Sequence, residues 1–148
     1  MRIAVGSDHA GFELKNDLML YMRERGLEPV DLGTHEKSSC DYPDFAEKVA
    51  RAVAAGESPW GLLVCGTGVG MSMAANKVPG VRAAVVSDTF SAAATRQHNN
   101  ANVLCLGERV VGAGLARAIL DAWLGASFEG GRHQRRVNKM NALHTKAD

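Results

Sequence analysis

A cysteine followed by three closely spaced glycines is the part of this chain best suited to chemistry. Cys65 ends the apolar run 62–64, and glycines follow at positions 66, 68 and 70, with Thr67 between the first two. The run predicts a buried strand, and the glycines predict a tight turn into a helix. Such a turn offers free backbone N–H groups, which suit an anion or a developing oxyanion. A thiol placed there can act as a base or a nucleophile.

The pattern of this turn leaves three interpretations open. It reads Gly-x-Gly-x-Gly, with Met71 where a dinucleotide fingerprint needs its last glycine, and no Gly-Lys-Ser/Thr follows for a Walker loop. The turn could serve a nucleotide, a purely structural role, or a small anion held by backbone N–H groups, and the last is favoured. Cys65 could also be simply buried, as we expect for Cys105 inside a strand and for Cys40 in a polar loop without an obvious partner.

Three further sets of residues could carry chemistry. Asp8 and His9 follow the first predicted strand, although an aspartate there is often only a helix cap. His98 lies at the end of a predicted helix, where it could equally be a surface residue. Arg132 and Arg136 are four residues apart and would share a helix face. Two such guanidinium groups can form a fork-like phosphate site, or merely a solvated basic patch.

Length, composition and charge exclude several classes of protein. The chain has 148 residues, 46% of them hydrophobic, and fits a single domain over 1–148. Its net charge is +1, and the basic segment 132–136 has no interleaved aromatic residues, so neither nucleic acid nor a membrane is expected as a partner. The sequence shows no membrane-spanning apolar stretch and no secretory signal, which predicts a cytoplasmic protein. Three cysteines without a C-x-x-C pair predict free thiols.

Five short apolar runs alternate with helical patterns. This alternation, with apolar strand interiors, predicts an α/β fold: a Rossmann-like, doubly wound three-layer sandwich around a five-stranded parallel sheet. An extra C-terminal helix is expected at about 132–144, and a subunit interface is a plausible place for it to pack. Ligands bind beyond the carboxyl ends of the strands in such sheets. The loops at 8–9, 65–70, 87–88 and 107–109 should therefore lie together.

Capping and periodicity refine several helices. Asp44, with Glu47 three residues later, predicts a capping box at the start of the second helix. Asp88 predicts a cap for the fourth helix. The apolar stripe 115–123, which begins at Leu115, predicts a buried face on the fifth.

Six blocks of the sequence carry a family resemblance. They are Gly-Ser-Asp8-His9-Ala-Gly-Phe, Asp41-Tyr-Pro, Cys65-Gly-Thr-Gly-Val-Gly with Ala-Ala-Asn-Lys77, Arg96-Gln-His98-Asn99, Gly-Glu-Arg109-Val-Val-Gly, and Glu-Gly-Gly-Arg132-His-Gln-Arg-Arg136-Val. From Ile3 to about Val137, in order and without a large insertion, the chain resembles the B-type ribose-5-phosphate isomerases. That family also contains galactose-6-phosphate isomerase subunits, allose-6-phosphate isomerases and tetrulose-phosphate isomerases.

The resemblance implies a metal-independent aldose–ketose isomerase without a cofactor. Cys65 would be the base that moves the proton between C1 and C2. Thr67 and the turn backbone would hold the enediolate oxygen; the turn residues are Gly66, Gly68, Val69 and Gly70. One branch of the family uses a glutamate about one turn later, and Met71 occupies that place here, so the chain belongs with the cysteine branch.

The resemblance also implies how the rest of the sugar is bound. Asp8 and His98 would help to open the furanose ring, with His98 as the proton donor. The phosphate would be held by His9, Arg132 and Arg136, and the sugar site completed by Asn99 and Arg109. The family forms homodimers or tetramers with active sites at subunit interfaces, so some of these residues would come from a neighbouring subunit.

The expected substrates are D-ribose 5-phosphate and D-ribulose 5-phosphate. The alternatives within the family are allose 6-phosphate, galactose 6-phosphate or a tetrulose 4-phosphate. A non-catalytic phosphosugar-binding module is a further alternative. The joint presence of Cys65, Thr67, Asp8 and His98 disfavours it, because binding alone requires neither a base nor an acid.

Overall fold

Residues 1–146, the part of the chain that the computed structural model describes, contain a single five-stranded sheet. The strands are β1 (Arg2–Ser7), β2 (Glu28–Asp31), β3 (Trp60–Cys65), β4 (Ala83–Val85) and β5 (Val103–Gly107). Their order is β2-β1-β3-β5-β4, and every neighbouring pair is parallel. The three longest strands therefore lie in the middle of the sheet and the two shortest at its edges.

Helices cover both faces of this sheet. They are α1 (Phe12–Glu24), α2 (Tyr42–Ala54), α3 (Val69–Ala75), α4 (Thr89–Gln97), α5 (Ala113–Gly125) and α6 (Arg132–Ala142), with a short 3-10 turn at His9–Gly11. Helices α1, α4 and α5 pack on one face, and α2 and α3 on the other. The predicted doubly wound three-layer sandwich with an extra C-terminal helix is confirmed. Along residues 1–146, no helix is long and apolar enough to cross a membrane.

The strands alternate between two apolar cores, one on each face of the sheet. On β3, Leu62 and Val64 lie in the core beneath α1 and α5, whereas Leu63 and Cys65 lie in the core beneath α2 and α3. Successive side chains of a strand point to opposite faces, so a strand covered on both sides is apolar throughout. This alternation places Cys65 on the α2–α3 side of the sheet.

The second helix begins earlier than its capping pattern predicts. Helix α2 starts at Tyr42 with Asp41 at its N-cap, so the predicted capping box at Asp44 and Glu47 is wrong. Pro43 falls in the first turn of the helix. A proline is tolerated there because its missing N–H has no intrahelical partner in that turn. Tyr42 is therefore fixed at the start of a helix and not in a loop.

The predictions for α4 and α5 had different outcomes. Asp88 caps α4 as predicted, because its Oδ1 accepts a hydrogen bond from the Ser91 N–H at 2.6 Å. The prediction for Leu115 is wrong, since this residue is 42% exposed. Periodicity locates an apolar stripe but not which of its edges the neighbouring helices cover. Here α1 and α4 cover the edge formed by Ala116, Ile119, Leu120 and Trp123.

Helix α6 is held to the rest of the chain along one narrow edge. Its two buried residues are His133 and Val137. Beyond them the apolar side chains are largely uncovered, since Met140 is 41% exposed and Leu143 is 66% exposed. The exposed face of α6 carries several cations. Its packing at a subunit interface remains a prediction.

A fully buried lysine ties α1 to the loop after β2. Lys15 has no exposed surface, and its Nζ donates to Asp31 Oδ1 at 2.8 Å and to the Thr34 carbonyl at 2.6 Å. Burial opposes ionisation of Asp31, but hydrogen bonds from Lys15 and the Gly33 N–H outweigh it and lower the pKa of Asp31. The Gly33 carbonyl accepts from the Ser7 N–H at 2.7 Å, so this loop supports the end of β1.

Replacing Asp31 with Asn should destabilise the fold. The change leaves the buried Lys15 charge without its counter-charge. We expect the free energy of unfolding to fall by about 1–3 kcal/mol at pH 7, less than for a fully buried pair because Asp31 is partly exposed. A carboxylate with a lowered pKa stabilises the fold above its unfolded-state pKa of about 3.9, and this stabilisation is lost as the pH falls through the folded-state pKa. Urea denaturation at several pH values should show the two proteins converging in acid.

The matched control is Glu47→Gln. It breaks an exposed ion pair with Arg51, at 2.7 Å, and should change the free energy of unfolding by less than about 1 kcal/mol. If Asp31→Asn costs no more than this control at pH 7, Asp31 does not stabilise the buried lysine.

Candidate active site

The ends of β1 and β3 lie side by side at the switch point of the sheet. The helices that follow these strands, α1 and α3, lie on opposite faces, so a crevice opens between them. Asp8 and His9 follow β1, and Cys65 ends β3. The Asp8 N–H donates to the Val64 carbonyl at 3.3 Å, so the predicted meeting of these two loops is confirmed.

Backbone N–H groups surround the end of β3. Cys65 is 6% exposed, and its sulfur accepts a hydrogen bond from the Gly68 N–H at 3.1 Å. The Val69 N–H donates to Thr67 Oγ1 at 3.2 Å. Within residues 1–146, no acceptor is present for the N–H groups of Gly66, Thr67 and Gly70. The turn therefore combines a thiol with several donors that an anionic oxygen could use.

Two glycines allow this turn to lie against the end of β5. Gly68 has a φ of +80°, and a Cβ there would lie 2.8 Å from the carbonyl carbon of Leu106. A Cβ on Gly107 would lie 2.6 Å from the backbone of Thr67. Such distances are shorter than van der Waals contact, so neither position has room for a side chain. The turn and the end of β5 can come together because Gly68 and Gly107 have no side chain.

The loop after β5 brings Arg109 to the same turn. Its N–H donates to the Gly66 carbonyl at 3.0 Å, and the N–H of Glu108 donates to the Cys65 carbonyl at 2.9 Å. A Cβ on Gly66 would lie 3.2 Å from Arg109 Nη1, so the guanidinium covers this side of the turn. Glu108 Oε1 accepts from the Leu14 N–H at 2.6 Å, which connects the loop to α1. Arg109 thus places a positive charge beside Gly66, the residue that follows Cys65.

Asp8 and His9 are both oriented by backbone hydrogen bonds. Asp8 Oδ1 accepts from the N–H groups of Ala10 and Gly11 at 3.0 and 3.1 Å, so Asp8 does cap the 3-10 turn. His9 Nδ1 accepts from the Cys40 N–H at 3.2 Å. In the neutral ring this leaves the proton on Nε2, which can then donate to a ligand.

The three thiols lie in different environments. Cys105 is fully buried in β5, so the prediction of a buried cysteine is confirmed, and this burial raises the pKa of its thiol. The same prediction is wrong for Cys40, which is half-buried with its sulfur 3.9 Å from His9 Nδ1, because its loop folds back onto the end of β1. Cys65 is the thiol at the turn.

Tyr42 is a neighbour of the turn that sequence reasoning did not assign. A Cβ on Gly70 would lie 2.6 Å from its ring carbons and 3.0 Å from its hydroxyl oxygen. Tyr42 is 39% exposed. The block Asp41-Tyr-Pro was the available signal. The capping box assigned to Asp44 placed this block in a loop and concealed its position.

The remaining predicted residues lie at the other edge of the sheet. Helix α4 leads from the carboxyl end of β4 back to the amino end of β5, and His98 and Asn99 follow its last turn. Asn102 marks this edge, because its carbonyl accepts from the N–H of Gly61 near the start of β3, at 2.9 Å. Cys65 ends that same strand. Strands of this length separate the two edges by roughly 15 Å, at about 3.3 Å per residue.

Helix α6 brings further side chains to His98. The rings of His98 and His133 stack with 4.4 Å between their centroids. Glu129 Oε1 lies 3.8 Å from His98 Nε2 and 3.5 Å from His133 Nε2. Burial and the charge of Arg132 lower the pKa of His133. A cavity of about 260 Å³ beside the two rings is also lined by Arg136.

The predicted site residues therefore form two groups within one chain. The carboxyl-edge group consists of Asp8, His9, Cys65, Gly66, Thr67, Gly68, Val69, Gly70 and Arg109. The amino-edge group consists of His98, Asn99, Arg132 and Arg136. Sequence reasoning assigned no role to Glu129 or His133, because a stacked pair of rings from two segments leaves no local pattern.

Fold and site define a parallel α/β protein with a thiol among backbone donors at the switch point of its sheet. Residues 3–140 match a family described as Ribose/Galactose Isomerase. The chain is 54% identical to ribose-5-phosphate isomerase B of Escherichia coli over 96% of its own length and 95% of that protein. It is 44% identical to D-erythrulose-4-phosphate isomerase of Pectobacterium atrosepticum over 95% and 93% of the two chains. Its structure is similar to that of ribose-5-phosphate isomerase B of Clostridium thermocellum, with a TM-score of 0.97, 52% identity and 98% of each chain covered.

The chain belongs to the ribose/galactose isomerase family. The family resemblance found in its sequence is confirmed, and the protein is an aldose–ketose isomerase.

Replacing Gly68 with Ala should disrupt the turn. An alanine at a φ of +80° is strained by about 1–2 kcal/mol, and its Cβ would press on the backbone of Leu106. We expect the free energy of unfolding to fall by roughly 2–4 kcal/mol, as measured by urea denaturation. Gly114→Ala, on α5, is the control, because a Cβ there meets no atom within 4 Å. That variant should be neutral or gain up to about 1 kcal/mol. Similar free energies for the two variants would contradict the steric role of Gly68.

Proposed function

We propose that this isomerase interconverts D-ribose 5-phosphate and D-ribulose 5-phosphate through an enediolate, with Cys65 as the base. The observation that carries the proposal is the position of the Cys65 sulfur, 3.1 Å from the Gly68 nitrogen. It lies in a turn where, within residues 1–146, the N–H groups of Gly66, Thr67 and Gly70 lack acceptors. Proton transfer next to a carbonyl requires a base and preorganised donors for the oxygen charge. The 54% identity to ribose-5-phosphate isomerase B of Escherichia coli supports this choice of substrate.

The reaction moves one proton between neighbouring carbons. In the open-chain aldose, the Cys65 thiolate takes the proton from C2. The electron pair of that C–H bond forms a C1–C2 double bond, and the former carbonyl oxygen on C1 becomes negative. The thiol then returns the proton to C1, while the hydroxyl proton moves from O2 to O1 and leaves a carbonyl at C2. Electrons are conserved within the sugar, so no external oxidant or reductant is required.

The turn stabilises the charges that develop in this step. Its N–H groups and Thr67 meet the enediolate oxygen, and losing one such donor typically costs about 100- to 1000-fold in turnover. The hydrogen bond from the Gly68 N–H is stronger when the sulfur that accepts it is charged. Arg109, whose guanidinium covers Gly66, adds a positive charge at the same place. The base and the oxygen donors are thereby held on one rigid segment.

The other residues orient the sugar and open its ring. Asp8 and His98 act on the furanose, with His98 donating a proton to the ring oxygen. His9, Arg132 and Arg136 bind the phosphate, and Asn99 completes the sugar site. Phosphate contacts remote from C1 and C2 supply binding energy that can hold the reacting carbons against Cys65.

We infer that each active site is completed by a second copy of this chain. The carboxyl-edge and amino-edge groups of one chain are separated by roughly 15 Å, the length of a central strand, which exceeds the reach of one phosphopentose. The amino-edge group of one chain facing the carboxyl-edge group of another would complete two equivalent sites in a twofold-symmetric homodimer, or in a tetramer of two such dimers. Exposed apolar residues near the carboxyl edge support such a contact: Phe90 is 81% exposed, Val69 43% and Val85 39%.

The second candidate substrate is another phosphosugar. It is favoured by the 44% identity to a D-erythrulose-4-phosphate isomerase, because the proposed residues recognise a phosphate and an enediolate that tetrose, pentose and hexose substrates share. Initial rates across a panel of four-, five- and six-carbon phosphosugars test the choice. If kcat/KM is highest for ribose 5-phosphate, the proposal is supported, and a higher kcat/KM for another sugar overturns it.

We also expect a cytoplasmic enzyme, since its three cysteines are free.

Replacing Cys65 with Ala should abolish isomerisation while the fold is kept. The thiol is the proposed base, and among residues 65–70 it is the only side chain that can take up the C2 proton. We expect a loss of more than about 1000-fold in kcat. Cys40→Ser is the matched control, because it removes a thiol outside the turn. Solvent exchange of the C2 hydrogen, followed by NMR, should stop only in the Cys65 variant. Exchange that continues at the wild-type rate would exclude Cys65 as the base.

Mixing two inactive variants should restore activity if the site spans two chains. We expect Cys65→Ala and His98→Gln each to be inactive alone. A mixed dimer contains one site with both changes and one with neither, so equimolar mixing should restore about a quarter of the wild-type activity. Native mass spectrometry verifies that subunits exchange. No recovery in a sample that contains mixed dimers would mean that each site lies within one chain.

A further inference from the structure

Three side chains that commonly bind metals converge at the amino edge. Glu129 Oε1 lies 3.5 Å from His133 Nε2 and 3.8 Å from His98 Nε2, and the ligand atoms of all three residues lie within 4.8 Å of one another. Both measured distances are too long for hydrogen bonds. The three residues come from different segments: the end of α4, the loop before α6 and the first turn of α6. The three residues are therefore brought together by tertiary packing and not by their spacing along one helix.

One of these ligand atoms is buried without a partner. His133 Nε2 has no hydrogen bond among the described residues, and the His133 side chain is only 9% exposed. A buried polar atom left unpaired destabilises the fold, because it has lost its hydrogen bonds to water. This nitrogen faces the Glu129 carboxylate, and the cavity of about 260 Å³ lies against the His98 and His133 rings. A ligand that binds this nitrogen would remove this destabilisation.

We propose that His98, Glu129 and His133 form a binding site for one divalent cation of the Zn²⁺ type. Two imidazole nitrogens and one carboxylate oxygen are a donor set that Zn²⁺ accepts with a fourth position left open, whereas Mg²⁺ and Ca²⁺ prefer oxygen ligands. With metal–ligand bonds of about 2.0–2.2 Å, neighbouring ligand atoms of a tetrahedral site lie about 3.3–3.6 Å apart. The two distances from Glu129 need to contract by about half an ångström at most. Because the two imidazole rings are stacked with 13° between their planes, one ring also has to turn so that both nitrogens point at the ion.

The surroundings limit the affinity of this site. Arg136 lines the same cavity, and its charge opposes a bound cation. The site also has three protein ligands, where structural zinc sites have four. We therefore expect binding that is weaker than in a structural zinc site and readily reversed by a chelator.

A bound cation would have a consequence for the enzyme. It would occupy His98 and so remove the proposed proton donor for ring opening. Zn²⁺ should therefore inhibit isomerisation of the cyclic sugar reversibly. This consequence rests on the proposed function of His98, whereas metal binding itself does not.

Metal titration of the full-length, metal-free enzyme tests the site. Co²⁺ is followed by its visible absorption, and Zn²⁺ by competition with a chromophoric chelator. We expect one equivalent per chain and a cobalt spectrum without a thiolate charge-transfer band. Glu129→Gln and His133→Gln should each weaken binding by at least about 10-fold. His35→Gln is the matched control and should bind as the wild type does, because His35 is 72% exposed and lies outside the cluster.

Several results would overturn the proposal. The first is that the wild-type enzyme binds no metal, as expected if water alone bridges the three residues. The second is that the variants at Glu129 and His133 bind the metal as tightly as His35→Gln does. The third is a thiolate band in the cobalt spectrum that disappears in Cys40→Ser, because the metal would then be bound by that cysteine. Circular dichroism checks that each variant is folded. Zn²⁺ inhibition is measured separately in wild type and Glu129→Gln. If Glu129→Gln weakens binding but saturated wild type keeps full activity, the metal site stands and the proposed role of His98 is contradicted.

Discussion

The close contact between the β3–α3 turn and the end of β5 is the constraint on which the rest of the site depends. Gly68 and Gly107 leave no room for a side chain, so the two backbones touch. The carbonyls of Cys65 and Gly66 then accept hydrogen bonds from the N–H groups that follow β5. These bonds hold the turn in place without using the N–H groups of Gly66, Thr67 and Gly70. A thiol and a set of oxygen donors are thereby fixed before any ligand arrives, which is what electrostatic stabilisation of a developing charge requires.

The winding of the chain decides which side chains can join this turn. Loops that follow strands reach the carboxyl edge, so Asp8 and Arg109 lie beside Cys65. Segments that follow helices return to the amino edge, so His98 and Arg136 do not. A parallel α/β fold separates these two kinds of segment by the length of its strands. The proposed site, which needs both, would therefore require a second chain. The exposed cationic face of α6 and the exposed apolar residues near the carboxyl edge are compatible with such an assembly.

The amino edge gathers groups that are useful in more than one way. An imidazole that donates protons near neutral pH is also a ligand for Zn²⁺. A carboxylate beside it can stabilise the protonated imidazole or bind the metal as a further ligand. In the proposals made for this enzyme, His98 has both roles, with Glu129 and His133 as its neighbours. Sensitivity to Zn²⁺ would then follow from the proximity of these groups and would not need a dedicated regulatory domain.

The sequence by itself determined the parallel α/β fold, the thiol in its glycine turn, the cap at Asp88 and the family. The cap and the turn depend on neighbours within a few residues, and the fold and the family depend on the order of such local patterns along the chain. It misjudged the start of α2, where Pro43 fits the first helical turn, and the environment of Cys40. Only the tertiary structure decided the strand order, the place of Tyr42 beside Gly70, and the division of the site between two edges. The contact of the Tyr42 ring with Gly70 joins residues that are distant in the chain, and local patterns carry no information about it.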